Sequence, residues 1–377
     1  MLVRRIMNKK IGILSLPFHR NYGGILQSYA LYRVIQKLGY SPCLLNRDVV
    51  NHVSKKEWLL NIKRNLFSII GIKSHPTCYQ ILRESLSSML SFVDKNIPNR
   101  LNFYEFSTLE NIKFDAVVVG SDQVWRKGYT PDTKLYFLSF LKTHNTKRIA
   151  YAASFGVDTW QFDTNETEEL QSLAQSFKSI SVREDSAVEL CEKNLGVPAL
   201  QVLDPTLLLT KKDYEEIAGV NSVSSDKKQL LLFNLSNNEF KSQVSQSIAE
   251  LLSAEVVDFN LPVYTDYFLS EVYQFKSVES WLDSFASADF VLTDSFHGTA
   301  FAINFNKPFI AFGSKERGQA RFLSLLRMFG LENRLVDNLD EAKKVCAEPI
   351  DWADVNARLA NYRKQSLDFL THALADG

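Results

Sequence analysis

The sequence has few cysteines, no net charge and no long apolar run, and each absence narrows the range of functions. Its 377 residues include four cysteines, which are scattered and form no C-x-x-C pair. This pattern suits a reducing cytosol and indicates neither a disulfide framework nor a structural zinc site. Lysine plus arginine (43) equals aspartate plus glutamate (43), so no overall field attracts nucleic acid. Any anionic ligand must be held by locally placed basic residues.

The apolar segments are too short to cross a membrane. No stretch approaches the ~20 apolar residues that a spanning helix needs, and the apolar run after the basic N-terminus is too short for a signal peptide. We therefore expect a cytoplasmic protein. Residues 54–72 are predicted to form an amphipathic helix, which either packs in a core or rests on the inner face of a membrane near a lipid-linked substrate. The sequence sets no oligomeric state.

Hydrophobic residues make up 45% of the chain. This content is sufficient for the cores of two ordinary α/β domains. Short apolar strands alternate with helical stretches, as in a doubly wound parallel sheet. A Ser-rich polar segment at 219–228 interrupts this pattern, which then restarts. We predict an N-terminal α/β domain (1–218), a C-terminal α/β domain (219–340) and a C-terminal helix (341–377) that packs back on the first domain. The two Rossmann-like domains should face a central cleft.

Polar residues follow several predicted strands, at the sheet edge where ligands bind in such folds. In "HRNYGG" (19–24), Gly23 and Gly24 permit close backbone approach at a helix N-terminus, as phosphate loops require, with Asn21 beside them. The segment does not follow G-x-G-x-x-G, so a tight turn that needs glycine explains it equally well.

A second strand end, "GSDQVW" (120–125), places Asp122 after a buried strand that begins near Phe114. The carboxylate is either a catalytic base or a cap for a following helix. Trp125 is either a plane on which a sugar ring stacks or a core residue. The third strand end, "SVRED" (181–185), offers Arg183, whose guanidinium can grip a carboxylate or phosphate in a bidentate manner. A structural ion pair is the alternative for Arg183.

The most specific segment is "TDSFHGTA" (293–300), where a histidine follows a buried strand at 290–292. We predict a short crossover helix at 298–305 and then a second strand at 308–312, which together form a βαβ unit. His297, Ser295 and Thr299 concentrate hydrogen-bonding groups where the helix N-terminus favours an anion. Two basic residues just after the next strand, Lys315 and Arg321, are further candidates for binding that anion.

Taken in order, several segments resemble the polysaccharide pyruvyl transferase family over about residues 10–336. They are "NYGGILQSYAL", "DAVVVGSDQVW", "SVRED", "VLDPTLLL", "TDSFHGTAFAINFNKPF" and "ARFLSLLRMFGLENRL". The resemblance implies a GT-B-like two-domain fold and an enzyme that moves the pyruvyl group of phosphoenolpyruvate onto sugar hydroxyls as a ketal. It also implies that His297 is the active-site histidine and that Arg183 holds phosphoenolpyruvate.

One departure from the family pattern concerns the donor. Many members carry an arginine two residues before the histidine, as S-R-x-H-G, whereas Ser295 occupies that position here. Arg321 or Lys315 would then supply the missing positive charge. In the implied reaction His297 acts as acid and base, Asp122 takes a hydroxyl proton, and no redox cofactor or metal is required.

Two other functions stay open at this point. A GT-B-type glycosyltransferase that uses a nucleotide sugar has the same architecture, because a fold does not determine a reaction. A non-catalytic saccharide-binding protein would keep the same cleft. If the family assignment holds, the expected acceptor is a saccharide of capsule or exopolysaccharide biosynthesis, with or without a lipid carrier.

Overall fold

Two parallel β-sheets form the framework of the protein. A computed structural model describes residues 9–48, 83–141, 145–219, 227–260, 274–313 and 319–375. The predicted amphipathic helix at 54–72, most of the 219–228 linker and Lys315 lie outside these residues. None of the described helices is long and apolar enough to span a membrane.

The first sheet has seven described strands, and every adjacent pair is parallel. Its spatial order is β3-β2-β1-β4-β5-β6-β7. The strands are β1 (Lys10–Leu14), β2 (Ser41–Arg47), β3 (Arg100–Phe103), β4 (Ala116–Val119), β5 (Lys147–Ala153), β6 (Ser179–Val182) and β7 (Leu200–Gln201). The central strand β4 reads AVVV and is buried throughout, as expected for a parallel strand covered on both faces. The order of the chain reverses between β1 and β4.

The second sheet has five described strands in the order β12-β11-β10-β8-β9, again all parallel. They are β8 (Gln229–Phe233), β9 (Glu255–Asp258), β10 (Phe290–Thr293), β11 (Phe309–Phe312) and β12 (Leu335–Val336). Here the chain order reverses between β8 and β10. In open α/β sheets such reversal points are where ligands bind.

Helices cover both sheets and close the chain. They are α1 (Tyr22–Lys37), α2 (Ser87–Asn96), α3 (Thr133–Tyr136), α4 (Thr164–Ala174), α5 (Asp185–Leu190), α6 (Lys211–Ala218), α7 (Glu239–Leu252), α8 (Val278–Ser287), α9 (Phe296–Asn304), α10 (Gln319–Phe329), α11 (Leu339–Ala347) and α12 (Trp352–Leu374).

The two domains share a hydrophobic core that is centred on α1. Tyr22 at the start of α1 stacks on Trp281 of the second domain, with ring centroids 5.6 Å apart. The C-terminal helix α12 returns to the first domain, where the Leu203 N–H donates to Ser366 (3.0 Å) and Arg363 donates to the Leu207 carbonyl (2.8 Å). The predicted α/β fold, with two Rossmann-like domains and a returning helix, is confirmed. The domain boundaries at 218 and 340 stay predictions.

Two predicted elements have different bounds in the structure, and both differences affect the site. The apolar segment "ALQVLDPTLLL" (199–209) predicts a single strand, but β7 ends at Gln201. Pro205 lacks an N–H, and Asp204 instead caps a short 3₁₀ turn, Pro205–Leu207. The helix expected from 298 begins at Phe296, because Ser295 is its N-cap and accepts a hydrogen bond from the Gly298 N–H (3.3 Å). His297 therefore lies inside the first turn of α9.

Candidate active site

The reversal points of the two sheets meet at the domain interface. The first domain contributes the segment after β1, which leads into α1, and the segment after β4, which contains Asp122. The second domain contributes the segment after β10, which contains His297. Residues that are far apart in the sequence therefore lie close together at this interface.

His297 is buried between the domains, with only 6% of its surface exposed. Its Nε2 lies 3.5 Å from Oδ2 of Asp204, which is an ion-pair distance, and it has no hydrogen-bond partner among the described residues. On the other side, the ring packs against Gly23 in the first turn of α1, where an added Cβ would lie 2.1 Å from Nδ1. The structure thus brings together two predicted site residues, and glycine is required at position 23 because the ring occupies the space of a side chain.

Asp204 is the central acceptor of the site, and the sequence analysis did not single it out. It accepts hydrogen bonds from Ser121 Oγ (3.1 Å), Arg183 Nη1 (3.0 Å) and the Thr206 N–H (3.0 Å). Burial by itself would raise the pKa of Asp204, but His297, Arg183 and Thr206 outweigh burial and hold this pKa well below its usual value. Asp204 is therefore a buried carboxylate anion beside the histidine. A signal was present in "LDPT", since Asp-Pro typically ends a strand and starts a turn.

Arg183 is held by carboxylates of its own domain. Its Nη1 donates to Asp204, its Nη2 lies 3.2 Å from Oδ1 of Asp122, and its guanidinium carbon lies 4.2 Å from the ring centre of Phe296. The structure thus contains an internal ion pair at Arg183, which the sequence offered as the alternative to substrate binding by this residue. A donor anion that binds Nη1 and Nη2 of Arg183 would compete with these two carboxylates.

Asp122 lies just after β4, with φ at +73°. Residues 121–131 form turns, and the next helix, α3, is capped by Asp132, so Asp122 caps no helix. Burial opposes ionisation of Asp122, but the charges of Arg183, His297 and Arg321 hold its pKa below the usual value. The residue is therefore an ionised carboxylate at neutral pH, as a general base must be before it accepts a proton.

Arg321 on α10 is buried and belongs to the same electrostatic cluster. Burial and, to a smaller extent, the charge of Arg183 lower its pKa to about 10, while the charges of Asp122 and Glu184 oppose this shift. The guanidinium still carries its charge at neutral pH. Of the two residues predicted to replace the family's arginine, Arg321 lies in the cluster, whereas Lys315 lies outside the described residues.

Four other predicted site residues organise helix N-termini. Asn21 is the N-cap of α1 and accepts from the Gly24 N–H (3.0 Å), and a Cβ on Gly24 would lie 2.9 Å from Asn21 Nδ2. Ser295 caps α9, and the Thr299 hydroxyl donates to the Ser295 carbonyl (3.1 Å). Asn21 and Ser295 therefore act as helix caps, and Gly24 and Thr299 lie in the first turns that they cap.

Trp125 does not reach the cleft. The side chain is fully buried, its Nε1 donates to the Tyr136 carbonyl (3.0 Å), and its ring stacks on Phe137 with centroids 4.4 Å apart. The structure therefore places Trp125 in the core of the first domain, the alternative to a sugar-stacking plane. An apolar residue at the end of "GSDQVW" fits both a cleft wall and a core, so the sequence pattern does not distinguish these two locations for Trp125.

Comparison with known proteins agrees with this architecture. A family model described as polysaccharide pyruvyl transferase matches residues 21–316. Among solved structures, the chain is similar to UDP-GlcNAc 2-epimerase from Methanocaldococcus jannaschii, with 14% identity and a TM-score of 0.50 over 92% of this chain and 95% of that chain. It is also similar to the N-terminal domain of Candida albicans trehalose-6-phosphate phosphatase, with 10% identity and a TM-score of 0.52 over 97% of this chain and 96% of that chain. No curated protein matches the chain. At these identities the structural likeness shows the GT-B-like fold alone.

Proposed function

The chain belongs to the polysaccharide pyruvyl transferase family, and we propose that it transfers the pyruvyl group of phosphoenolpyruvate to two hydroxyls of a saccharide as a ketal. Family membership supports a role in pyruvyl transfer in polysaccharide biosynthesis. The observation that carries the finer proposal is the buried interdomain cluster, in which a histidine and two carboxylates lie beside fixed positive charge. Such a cluster fits acid–base chemistry on an anionic substrate.

In the proposed first step, His297 transfers a proton to the methylene carbon of phosphoenolpyruvate. The proton comes from Nδ1, because Nε2 faces the Asp204 carboxylate. Asp204 holds the orientation of the ring and balances the positive charge that the ring carries when protonated. A side chain at Gly23 would block this atom, because an added Cβ would lie 2.1 Å from Nδ1.

In the next step, a sugar hydroxyl attacks the central carbon and gives its proton to Asp122. This carboxylate is paired with Arg183 at 3.2 Å in the structure, so it must be released before it can act as a base. We propose that the donor's carboxylate takes the place of Asp122 on Arg183 and thereby frees the base. Asp122 then passes its proton to the phosphate as the phosphate leaves. A second hydroxyl closes the ketal and returns its proton to His297, so that both residues regain their starting protonation states.

The remaining negative charge of the donor would be balanced by Arg321, which lies in the cluster, because Ser295 occupies the position at which many family members have an arginine. Lys315 is proposed as a further phosphate contact. The reaction needs no redox cofactor and no metal ion, since the two arginines provide the electrostatic stabilisation. A cytoplasmic location, a lipid-linked acceptor and membrane contact through residues 54–72 complete the proposal.

The decisive experiment is direct observation of the reaction in EDTA. The protein is incubated with phosphoenolpyruvate and a panel of saccharides that end in galactose, glucose or N-acetylmannosamine, including lipid-linked analogues. We expect one inorganic phosphate for each ketal, with a new acetal methyl signal in the proton NMR spectrum. The His297→Asn variant and a reaction without acceptor are the controls. Nucleotide release from a UDP-sugar with no ketal would instead identify a glycosyltransferase.

A further inference from the structure

A cavity of about 470 Å³ opens in the first domain beside the catalytic cluster. It lies at the carboxyl ends of β1 and β4, and Asp122 forms part of its wall together with Asn21 and Gly24. The opposite wall contains Tyr129, Thr130 and Tyr136. This volume lies within the range of small-molecule sites in proteins. The cavity therefore connects the proposed base with a separate space of the right size for a ligand.

Two buried hydroxyls in this wall have no partner. Neither Thr130 Oγ1 nor Tyr136 OH makes a hydrogen bond to any described residue, although both atoms are buried. Other buried tyrosines of the same domain are satisfied, since Tyr151 donates to the Leu203 carbonyl and Tyr214 to the Thr206 carbonyl, each at 2.9 Å. Buried polar groups are nearly always hydrogen-bonded, because an unsatisfied one costs about 1–3 kcal/mol. Two such hydroxyls on residues that line the same cavity point to a ligand that supplies their partners.

The chemistry of the wall favours an uncharged polyol over the donor. Thr130 and Tyr136 are neutral groups that both donate and accept, as sugar hydroxyls do. Burial raises the pKa of Tyr136, so its phenol keeps the proton that it would donate. Among the described residues of the wall, Arg47 is the one permanently charged cation, and Asp122 opposes it, whereas phosphoenolpyruvate is a trianion. Tyr129 is half exposed and adds an aromatic surface on which a sugar ring can pack.

We propose that this cavity binds the terminal sugar of the acceptor through the Thr130 and Tyr136 hydroxyls, with the reacting sugar hydroxyls at the Asp122 end. The proposal rests on the function proposed above, because it assigns the acceptor half of that reaction. The cavity would bind a saccharide even when phosphoenolpyruvate is absent. Saccharide specificity would then be decided by residues of the first domain alone.

The test measures sugar binding in the absence of phosphoenolpyruvate. Methyl glycosides of galactose, glucose and N-acetylmannosamine are added at millimolar concentration, and saturation transfer from the protein to each sugar is recorded by NMR. Thr130→Val and Tyr136→Phe keep the size of each side chain and remove only the hydroxyl. Ser85→Ala is the matched control, because the buried Ser85 hydroxyl also lacks a partner among the described residues but does not line this cavity.

We expect at least one glycoside to bind the wild-type protein and the Ser85→Ala variant, and to bind the Thr130→Val/Tyr136→Phe double variant at least tenfold more weakly. Thermal stability of the double variant should be unchanged or higher, because no internal hydrogen bond is lost, whereas Tyr214→Phe should lower it. Equal binding by the double variant overturns the proposal, and so does a lack of transfer to every glycoside from the wild-type protein. If the glycoside binds the wild type and binds the double variant at least tenfold more weakly, but no ketal forms with phosphoenolpyruvate, the sugar site is supported and the proposed pyruvyl transfer is refuted.

Discussion

Replacement of Asp204 by asparagine tests the centre of the active site, because this change removes a charge and keeps the shape. Both side chains of the Asp204–Arg183 pair are almost fully buried, and the Nη1–Oδ2 distance is 3.0 Å. Loss of one partner of a buried ion pair typically costs ~3–5 kcal/mol of unfolding free energy. Arg183 keeps Asp122 as a second partner, so we expect a loss near the lower end, about 3 kcal/mol.

The same substitution should affect turnover and the pH dependence of stability. Without the carboxylate, the His297 ring loses its orienting partner, and turnover should fall ~100-fold or more, the scale of losing a general acid or base. The pKa of Asp204 is held below its unfolded value, so its contribution to stability is present above about pH 4. This contribution is lost as the pH falls through the lowered folded pKa, and the wild type and variant should converge in acid.

Urea unfolding and steady-state phosphate release measure the two effects. Asp351→Asn is the matched control, because Asp351 caps α12 at the surface and asparagine is an equally good cap. We expect the control to change the unfolding free energy by less than ~0.5 kcal/mol. An Asp204→Asn variant that is as stable as the control would refute the account of the buried network. A destabilised variant with normal turnover in its folded fraction would show that the His297–Asp204 contact takes no part in the reaction.

Four further substitutions test the other parts of the site. His297→Asn should lower turnover by ~100-fold or more, and normal specific activity of the folded fraction would assign the histidine a purely structural role. Gly23→Ala places a methyl group in the His297 ring and should reduce turnover by at least ~10-fold, since small displacements of a reacting group are costly. Gly313→Ala is its control, because the added methyl meets the end of the Gln319 side chain, which can move. Arg183→Lys cannot bridge Asp122 and Asp204 as a fork, so both the unfolding free energy, by ~1.5–3 kcal/mol, and the apparent affinity for phosphoenolpyruvate should fall. Arg321→Ala should weaken the donor affinity. Arg327→Ala is its control, because Arg327 lies on the same helix in an exposed pair with Asp185. Equal donor affinities in these two variants would show that Arg321 does not replace the missing arginine.

The sequence by itself determined the elements and their class. Buried strands such as AVVV at 116–119 and FVLT at 290–293 are continuous apolar runs, and their alternation with helices indicates parallel sheets. The turn after β10 was also predictable, because Ser295 and a nearby glycine mark a helix start. These features depend on neighbours within a few residues, and the printed sequence contains them.

Only the tertiary structure decided which side chains meet. Asp204 was absent from the predicted site because its partners, Arg183, Ser121 and His297, come from other strand ends and from the other domain. Trp125 was assigned to the cleft as readily as to the core because an apolar residue after a strand has the same local pattern in both places. The order of the strands and the docking of the domains set these contacts, and both arise from long-range packing that no local periodicity encodes.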